Sequence, residues 1–202
     1  PVVIELFDRN EKPTGIRILR TTHVPAGPEP EIDHFPESTA VVDLQLPDGS
    51  VHTVNLRGPT TVQVWVGANG EANDGDGNGL DEVVTEMVQL DLRGSSPLGA
   101  VQMRLADPSR HPELRSLGRI EETANTKPGR LDLPPFAPQG TAWSFFDVFV
   151  EVQVGDQLFH AHQPKRMRSY LTHKPPQGGT AYFDPVVIEL FDRNEKPTGI
   201  RI

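Results

Sequence analysis

Apolar and polar residues alternate along most of this chain with a period of two, the pattern of strands that bury one face. In Thr60 to Val66, the residues Val62, Val64 and Val66 share one face while Gln63 and Trp65 share the other. Thr39 to Leu46 and Val51 to Leu56 alternate as strongly, and the Asp48-Gly49 pair between them favours a tight hairpin. The clearest alternation runs from Ser144 to Val154, where Phe146, Val148, Val150, Val152 and Val154 point one way, before Gly155-Asp156-Gln157 turns the chain into Leu158 to His162. Val2 to Phe7 and Ile16 to Leu19 predict another hairpin across Asp8 to Gly15; Leu98 to Leu105, Leu117 to Glu122 and Tyr170 to His173 predict further strands. From Leu80 to Leu90 a helix competes with a strand, and the β-branched content and flanking breakers favour the strand. Pro25, Pro28, Pro30 and Pro36 offer no donor to a ladder, so 25–36 is expected to be a connecting loop. Asp107 to Pro138 is expected to be irregular apart from its short strand, and Pro175 to Gly179 to be a linker.

Strands spaced by about 8–12 residues with turn signals between them predict an all-β fold, a β-sandwich of Greek-key or immunoglobulin-like type. Two smaller stacked sandwiches are the alternative, the second starting near Pro108 to Pro138. One feature sets the organisation: Pro1 to Ile18 recur letter for letter as Pro185 to Ile202. The offset of 184 residues makes 1–184 one repeat unit and 185–202 the start of the next, identical one. Solenoid repeats run to roughly 20–50 residues and cannot bury a core alone, so a unit of this length is expected to fold by itself. Val2 to Phe7 of one copy is then expected to complete a sheet of its neighbour through main-chain hydrogen bonds, with Val2, Ile4 and Leu6 and their counterparts Val186, Ile188 and Leu190 at the contact.

Composition narrows the function classes. The 28 acidic and 19 basic residues leave a net charge of −9, which repels phosphate backbones and argues against nucleic acid as a partner. There is no cysteine, which excludes disulfides and thiolate metal clusters, and no apolar run approaches the ~20 residues of a transmembrane helix. The 20 prolines and 18 glycines fit a β-protein with frequent turns. A Gly-x-Ser-x-Gly elbow is absent, and no serine stands in a strand-to-helix context beside a histidine, so nucleophilic catalysis has no foothold and an enzyme is not expected.

Asn73-Asp74-Gly75-Asp76-Gly77-Asn78-Gly79-Leu80-Asp81-Glu82 is the sharpest local motif. Hard cations take several carboxylate and carbonyl oxygens at once, and oxygen side chains at alternate positions supply them. Asp74, Asp76 and Asn78 are the expected first Ca²⁺ ligands, Leu80 adds a backbone carbonyl, and Asp81 or Glu82 closes the shell. The bland reading is a surface turn that binds nothing. Over about ten residues the segment resembles the Asp-rich loops of dockerins and of thrombospondin type 3 repeats, a resemblance that implies calcium. Thr85 stands where the EF-hand loop ends on its bidentate glutamate, and Glu86 follows one place later.

Two further groups are candidates for binding. His160-Ala161-His162 places two imidazoles on one face of a strand, able to chelate a transition metal, and the spacing resembles the paired histidines of cupins; Gln163-Pro164-Lys165-Arg166 follows where that family has a glutamate, and surface or partly buried histidines that bind nothing are the default reading. Lys165, Arg166, Arg168 and Lys174 form a basic cluster in an acidic chain, expected either to meet the acidic face of an adjacent repeat or to be a solvated strand end.

With Asp74-Gly75-Asp76-Gly77, Thr85-Glu86-Met87, Ser144 to Phe149 and Gln163 to Met167 in this order, the unit is similar to the domain-length repeats of very large secreted bacterial proteins. That resemblance implies an extracellular or cell-surface array. The partners it suggests are adjacent identical repeats and neighbouring copies of the same chain. A structural fibre, stalk or sheath rigidified by Ca²⁺ is the leading expectation, since head-to-tail contacts propagate only if every interface repeats. A calcium-dependent multivalent adhesin is the alternative, favoured by an exposed aromatic platform at Trp65 or Trp143 beside the calcium loop.

Overall fold

The computed structural model describes residues 4–7, 13–18, 29–107, 109 and 112–202. Among these there is no helix, and every strand pairing is antiparallel, so the expected all-β class holds. The strands are β1 (Ile4–Phe7), β2 (Pro13–Ile18), β3 (Glu31–Gln45), β4 (Val51–Val64), β5 (Glu82–Ser96), β6 (Gly99–Leu105), β7 (Ser116–Glu122), β8 (Ala142–Val148), β9 (Val150–Val154), β10 (Gln157–Ala161), β11 (Lys165–Leu171), β12 (Glu189–Phe191) and β13 (Pro197–Arg201). Among the described residues β1 and β2 pair only with each other, and the other eleven strands form one continuous sheet.

That sheet closes on itself. The first half of β5 pairs with β7, from Glu82↔Glu121 to Met87↔Ser116, and its second half pairs with β6, from Asp91↔Arg104 to Ser96↔Gly99. The pairings therefore run β5-β4-β3-β13-β12-β10-β9-β6 and back to β5, a ring of eight strands, while β7, β8 and β11 extend from the other half of β5. Ring closure removes free edges, the liability of an open sheet. Both parts share one apolar core, which runs from Leu44, Leu56, Leu92 and Val152 in the ring, through Val83 on the half of β5 that meets β7, to Ile120 and Phe146 outside it.

Three sequence expectations change here. The stretch 25–36 is not all loop, because Glu31 to Pro36 belong to β3. Thr60 to Val66 is not a separate strand either, since β4 runs unbroken from Val51 to Val64. Pro36, which argued for a loop, sits with Pro59 at a bulge: pairing jumps from Phe35↔Thr60 to Ser38↔Gly58, leaving both where no ladder bond is required. Gly58, at φ 158, is needed there, because a Cβ would lie 1.9 Å from the Asp91 carbonyl oxygen.

A second bulge, where Thr61↔Gln89 gives way to Val62↔Met87, flips the inward parity of β5. Val83 is thus buried and Val84 exposed on one side of it, whereas Leu92 is buried on the other. The third change is at Phe149, which divides the expected strand Ser144 to Val154. β8 pairs with β7 and β11, β9 pairs with β6 and β10, and Phe149 bridges the two parts by donating its N–H to Ser116 Oγ and accepting from the Ala106 N–H. Phe146, Val148, Val150 and Val152 are buried as the alternation predicted. The irregular stretch before β8 contributes core as well, since Leu131 and Leu133 are completely buried without belonging to a strand.

Candidate functional site

The repeated eighteen-mer occurs twice and adopts one hairpin twice. Ile4 pairs with Ile18, Glu5 with Arg17 and Phe7 with Pro13, with a shift between Glu5 and Phe7. The second copy reproduces this as Ile188 with Ile202, Glu189 with Arg201 and Phe191 with Pro197, with the shift between Glu189 and Phe191. Their surroundings differ. The second hairpin fills the gap in the ring between β3 and β10, through Arg201↔Gln45 on one side and His160↔Phe191 and Ala161↔Leu190 on the other. Ile188 and Leu190 are buried in the core. The first hairpin joins no other strand among the described residues. Of the expected contact residues, Ile4 and Leu6 lie on β1, Val2 lies outside the described residues, and Val186 is exposed just before the inserted hairpin.

The basic cluster does not act as a unit. Lys165 does reach the second copy: its Nζ donates to the Val186 carbonyl and lies 3.5 Å from the Asp184 carboxylate. Arg166 instead forms a forked pair with Asp147, across from it on β8, and Arg168 is tied by its backbone to Phe183. Lys174 is fully buried, with Nζ 2.8 Å from Glu31 and 3.0 Å from Asp33. Removal from water is expensive for a cation, so Lys174 needs those carboxylates and is not a surface plug.

In the acidic loop, Asp74, Asp76 and Glu82 each bring a carboxylate oxygen to within 4.8 Å of the others, a group able to hold a metal ion. The Asp-x-Asp-x-Asn spacing produces this locally. Asp74 accepts from the N–H groups of Gly77, Asn78 and Gly79, Asp76 from Asn78, and Asn78 from Leu80, so each side chain folds the loop round itself. Gly75 lies against Glu82, where a Cβ would come within 2.7 Å of its carboxylate. Burial pushes the Glu82 carboxyl up; Arg119 opposes this, while Asp76 and Glu121 add to it. Arg119, on β7, lies 3.0 Å from Glu82 and 3.3 Å from Asp76. Glu82 Oε2 is buried without a hydrogen-bond partner.

Asp81 turns away from this group. Its carboxylate accepts from the Gly129 and Arg130 N–H groups at 2.6 and 3.1 Å. Behind it, Glu122 accepts from the Asp81 N–H through one oxygen and from the Asp132 N–H through the other, and burial pushes its carboxyl up. Asp81 and Glu122 therefore fasten the irregular stretch 129–132 beneath the loop.

A second group of ligating side chains lies where the inserted hairpin meets β10. His160 and His162 project from one face, with their Nε2 atoms 3.2 Å apart, and Glu195 Oε2 is 3.1 Å from the first and 2.7 Å from the second. The His162 ring stacks on Phe191 with centroids 3.8 Å apart and planes 9° from parallel. Hydrogen bonding to His160 and His162 holds the Glu195 carboxyl below the usual range. Arg119 and Glu195 could not be nominated from sequence, because each reaches its group from a distant segment.

No family model and no curated protein matches the chain. Among solved structures it is similar to DynF from the dynemicin biosynthesis pathway of Micromonospora chersina, with 19% identity over 87% of this chain and 80% of that one and a TM-score of 0.60. At that identity the likeness is one of fold.

Proposed function

We propose that this chain is a structural repeat unit of an extracellular bacterial fibre, stalk or sheath, in which the hairpin opening one unit completes the ring of the unit before it. The observation that carries this reading is the pair of identical hairpins, one seated between β3 and β10 and one outside the ring. Reach favours a neighbour's ring over the chain's own. In the ring, the end of the hairpin lies at Gln45, and β3 runs fourteen steps from there to Glu31, about 46 Å if straight at ~3.3 Å per residue. The fourteen steps from Arg17, the counterpart of the Arg201 that faces Gln45, to Glu31 span at most ~3.3–3.6 Å each, so the first hairpin returns to its own ring only at nearly full extension.

The test compares chains 19–202, 1–184 and 1–202 by sedimentation over a range of concentrations. Chain 19–202 is expected to be monomeric, chain 1–184 to form concentration-dependent head-to-tail oligomers, and chain 1–202 to cap them. A folded, monomeric chain 1–184 would mean that the hairpin closes its own ring, and an unfolded one that it cannot replace the second copy; either result overturns the reading.

Calcium is the proposed ion of the acidic loop, ligated by Asp74, Asp76, Asn78 and Glu82, with Leu80 adding its backbone carbonyl. The buried, unpartnered Glu82 Oε2 supports it. Arg119 supplies the countercharge in the absence of an ion, so Ca²⁺ competes with it. At a hundredfold excess over Kd the native state gains about 2.7 kcal/mol, several degrees in Tm. The gain should vanish in Asp74→Asn/Asp76→Asn and grow in Arg119→Met. A Tm that ignores both Ca²⁺ and chelator removes calcium from the account.

A calcium-dependent adhesin is the second reading, favoured by an exposed aromatic pair. Trp143 and Tyr170 meet edge-on at 5.1 Å, in the cross-strand row Glu82, Glu121, Trp143, Tyr170 that starts at the loop. Trp143 is 55% exposed, whereas Trp65 is partly buried. Glycan-array binding that needs both Ca²⁺ and Trp143 would favour this reading over the fibre.

A further inference from the structure

We propose that His160, His162 and Glu195 form a binding site for a first-row divalent transition metal, such as Zn²⁺, that clasps the inserted hairpin to β10. The three donor atoms already stand as a metal would hold them. Ligands bound at about 2.0–2.2 Å with angles between about 90° and 110° are roughly 3 Å from one another, and the three separations here are 2.7, 3.1 and 3.2 Å. Two imidazole nitrogens and one carboxylate oxygen suit zinc and its neighbours rather than calcium, which takes oxygen ligands. With three protein ligands on an accessible face, solvent completes the shell.

The backbone at Glu195 points the same way. The turn from Asp192 to Lys196 is closed by the Glu195 N–H donating to the Asp192 carbonyl and the Asp192 N–H donating to the Lys196 carbonyl. Its fourth residue has φ 62, the left-handed conformation that glycine or asparagine ordinarily supplies, yet the residue there is Glu195, the one non-glycine residue with positive φ among those described. Glycine would fit this turn with less strain. A glutamate in its place brings a carboxylate to both imidazoles, and strained positions of this kind gather at ligand sites.

The site also lies where the joint is weakest in backbone pairing. The hairpin enters the ring through one register pair with β3 and two with β10. A metal held by β10 on one side and the turn on the other adds a direct link across that narrow pairing. The proposal does not depend on whether the hairpin comes from the same chain or from a neighbour, because all three ligands are present in chain 1–202.

The experiment uses the full chain, stripped of metal and titrated with Co²⁺ as a spectroscopic probe and with Zn²⁺ by calorimetry. One ion per chain is expected, with visible Co²⁺ bands and a Zn²⁺-dependent rise in Tm. Glu195→Gln should weaken binding at least about tenfold, His160→Ala/His162→Ala should abolish it, and Asp74→Asn/Asp76→Asn should leave it unchanged. Glu195→Gly guards against a purely structural role: it suits the left-handed position, so the metal-free chain should melt at the same or a higher temperature while the response to Zn²⁺ disappears. Absence of Co²⁺ bands overturns the proposal, as does binding that survives Glu195→Gly or shifts with the acidic-loop variant.

Discussion

The segment at 4–18 and the segment at 188–202 have one sequence and one register, down to the same shift beside the phenylalanine, yet only the second lies in the eight-strand ring. Local sequence therefore determines the hairpin. The strands on either side of the Asp-Arg-Asn-Glu-Lys segment form the same ladder in both places. Placement is determined by what the rest of the chain leaves open: a gap bordered by Gln45 on β3 and by His160 and Ala161 on β10, over a core that accepts Ile188 and Leu190. Hairpin formation and hairpin docking are thus separate events, the first encoded in eighteen residues and the second dependent on a surface built by the other strands.

Matched substitutions in the two copies separate these events. Leu190→Ala leaves a cavity in the core and is expected to cost about 2–5 kcal/mol in chemical denaturation. The same change at Leu6 should cost no more than about 0.5 kcal/mol in chain 1–202; equal losses would mean that both hairpins are docked. Thr198 donates its hydroxyl to the Leu190 carbonyl and accepts from the Ile200 N–H, so Thr198→Ala should cost about 1 kcal/mol and Thr14→Ala measurably less. The smallest effect is on the acid limb. Hydrogen bonds from the Lys196 and Asn194 N–H groups hold the Asp192 carboxyl below its ordinary value of 3.8. Stability from this carboxylate is present above that ordinary value and is lost as pH falls through the lowered one. Asp192→Ala should therefore flatten the acid end of the Tm–pH curve.

The strands were legible in the sequence wherever the period of two ran undisturbed. Val62, Val64 and Val66 share a buried face as their spacing requires, and β7 and β10 stand where alternation put them. Legibility failed where a local rule met a long-range exception. Pro36 and Pro59 signal breaks, but each is tolerated at a bulge, and the bulge at Val88 inverts a parity that spacing alone would have continued. The closure of β5 onto β6 has no local signature, because it depends on which half of a long strand meets which partner.

The same division applies to the sites. Asp74 and Asp76 converge with Glu82 because their spacing makes a loop do so, and Asp81, in the same motif, is diverted by the amides of Gly129 and Arg130, nearly fifty residues away. The histidine pair was visible as a pair, but its carboxylate arrives from a hairpin 33 residues further along the chain. Lys174 stands near three other cations in sequence, yet its partners are Glu31 and Asp33 on β3.

Because the hairpin that seals the ring is spelled identically at both ends, chains 1–184 and 19–202 are circular permutants of one another. The second is sealed by its own tail. On the strand-exchange reading proposed above, the first would carry a plug at its head and a vacant socket in its body and would grow head to tail, until a chain 1–202, whose socket its own tail fills, plugs the last open socket.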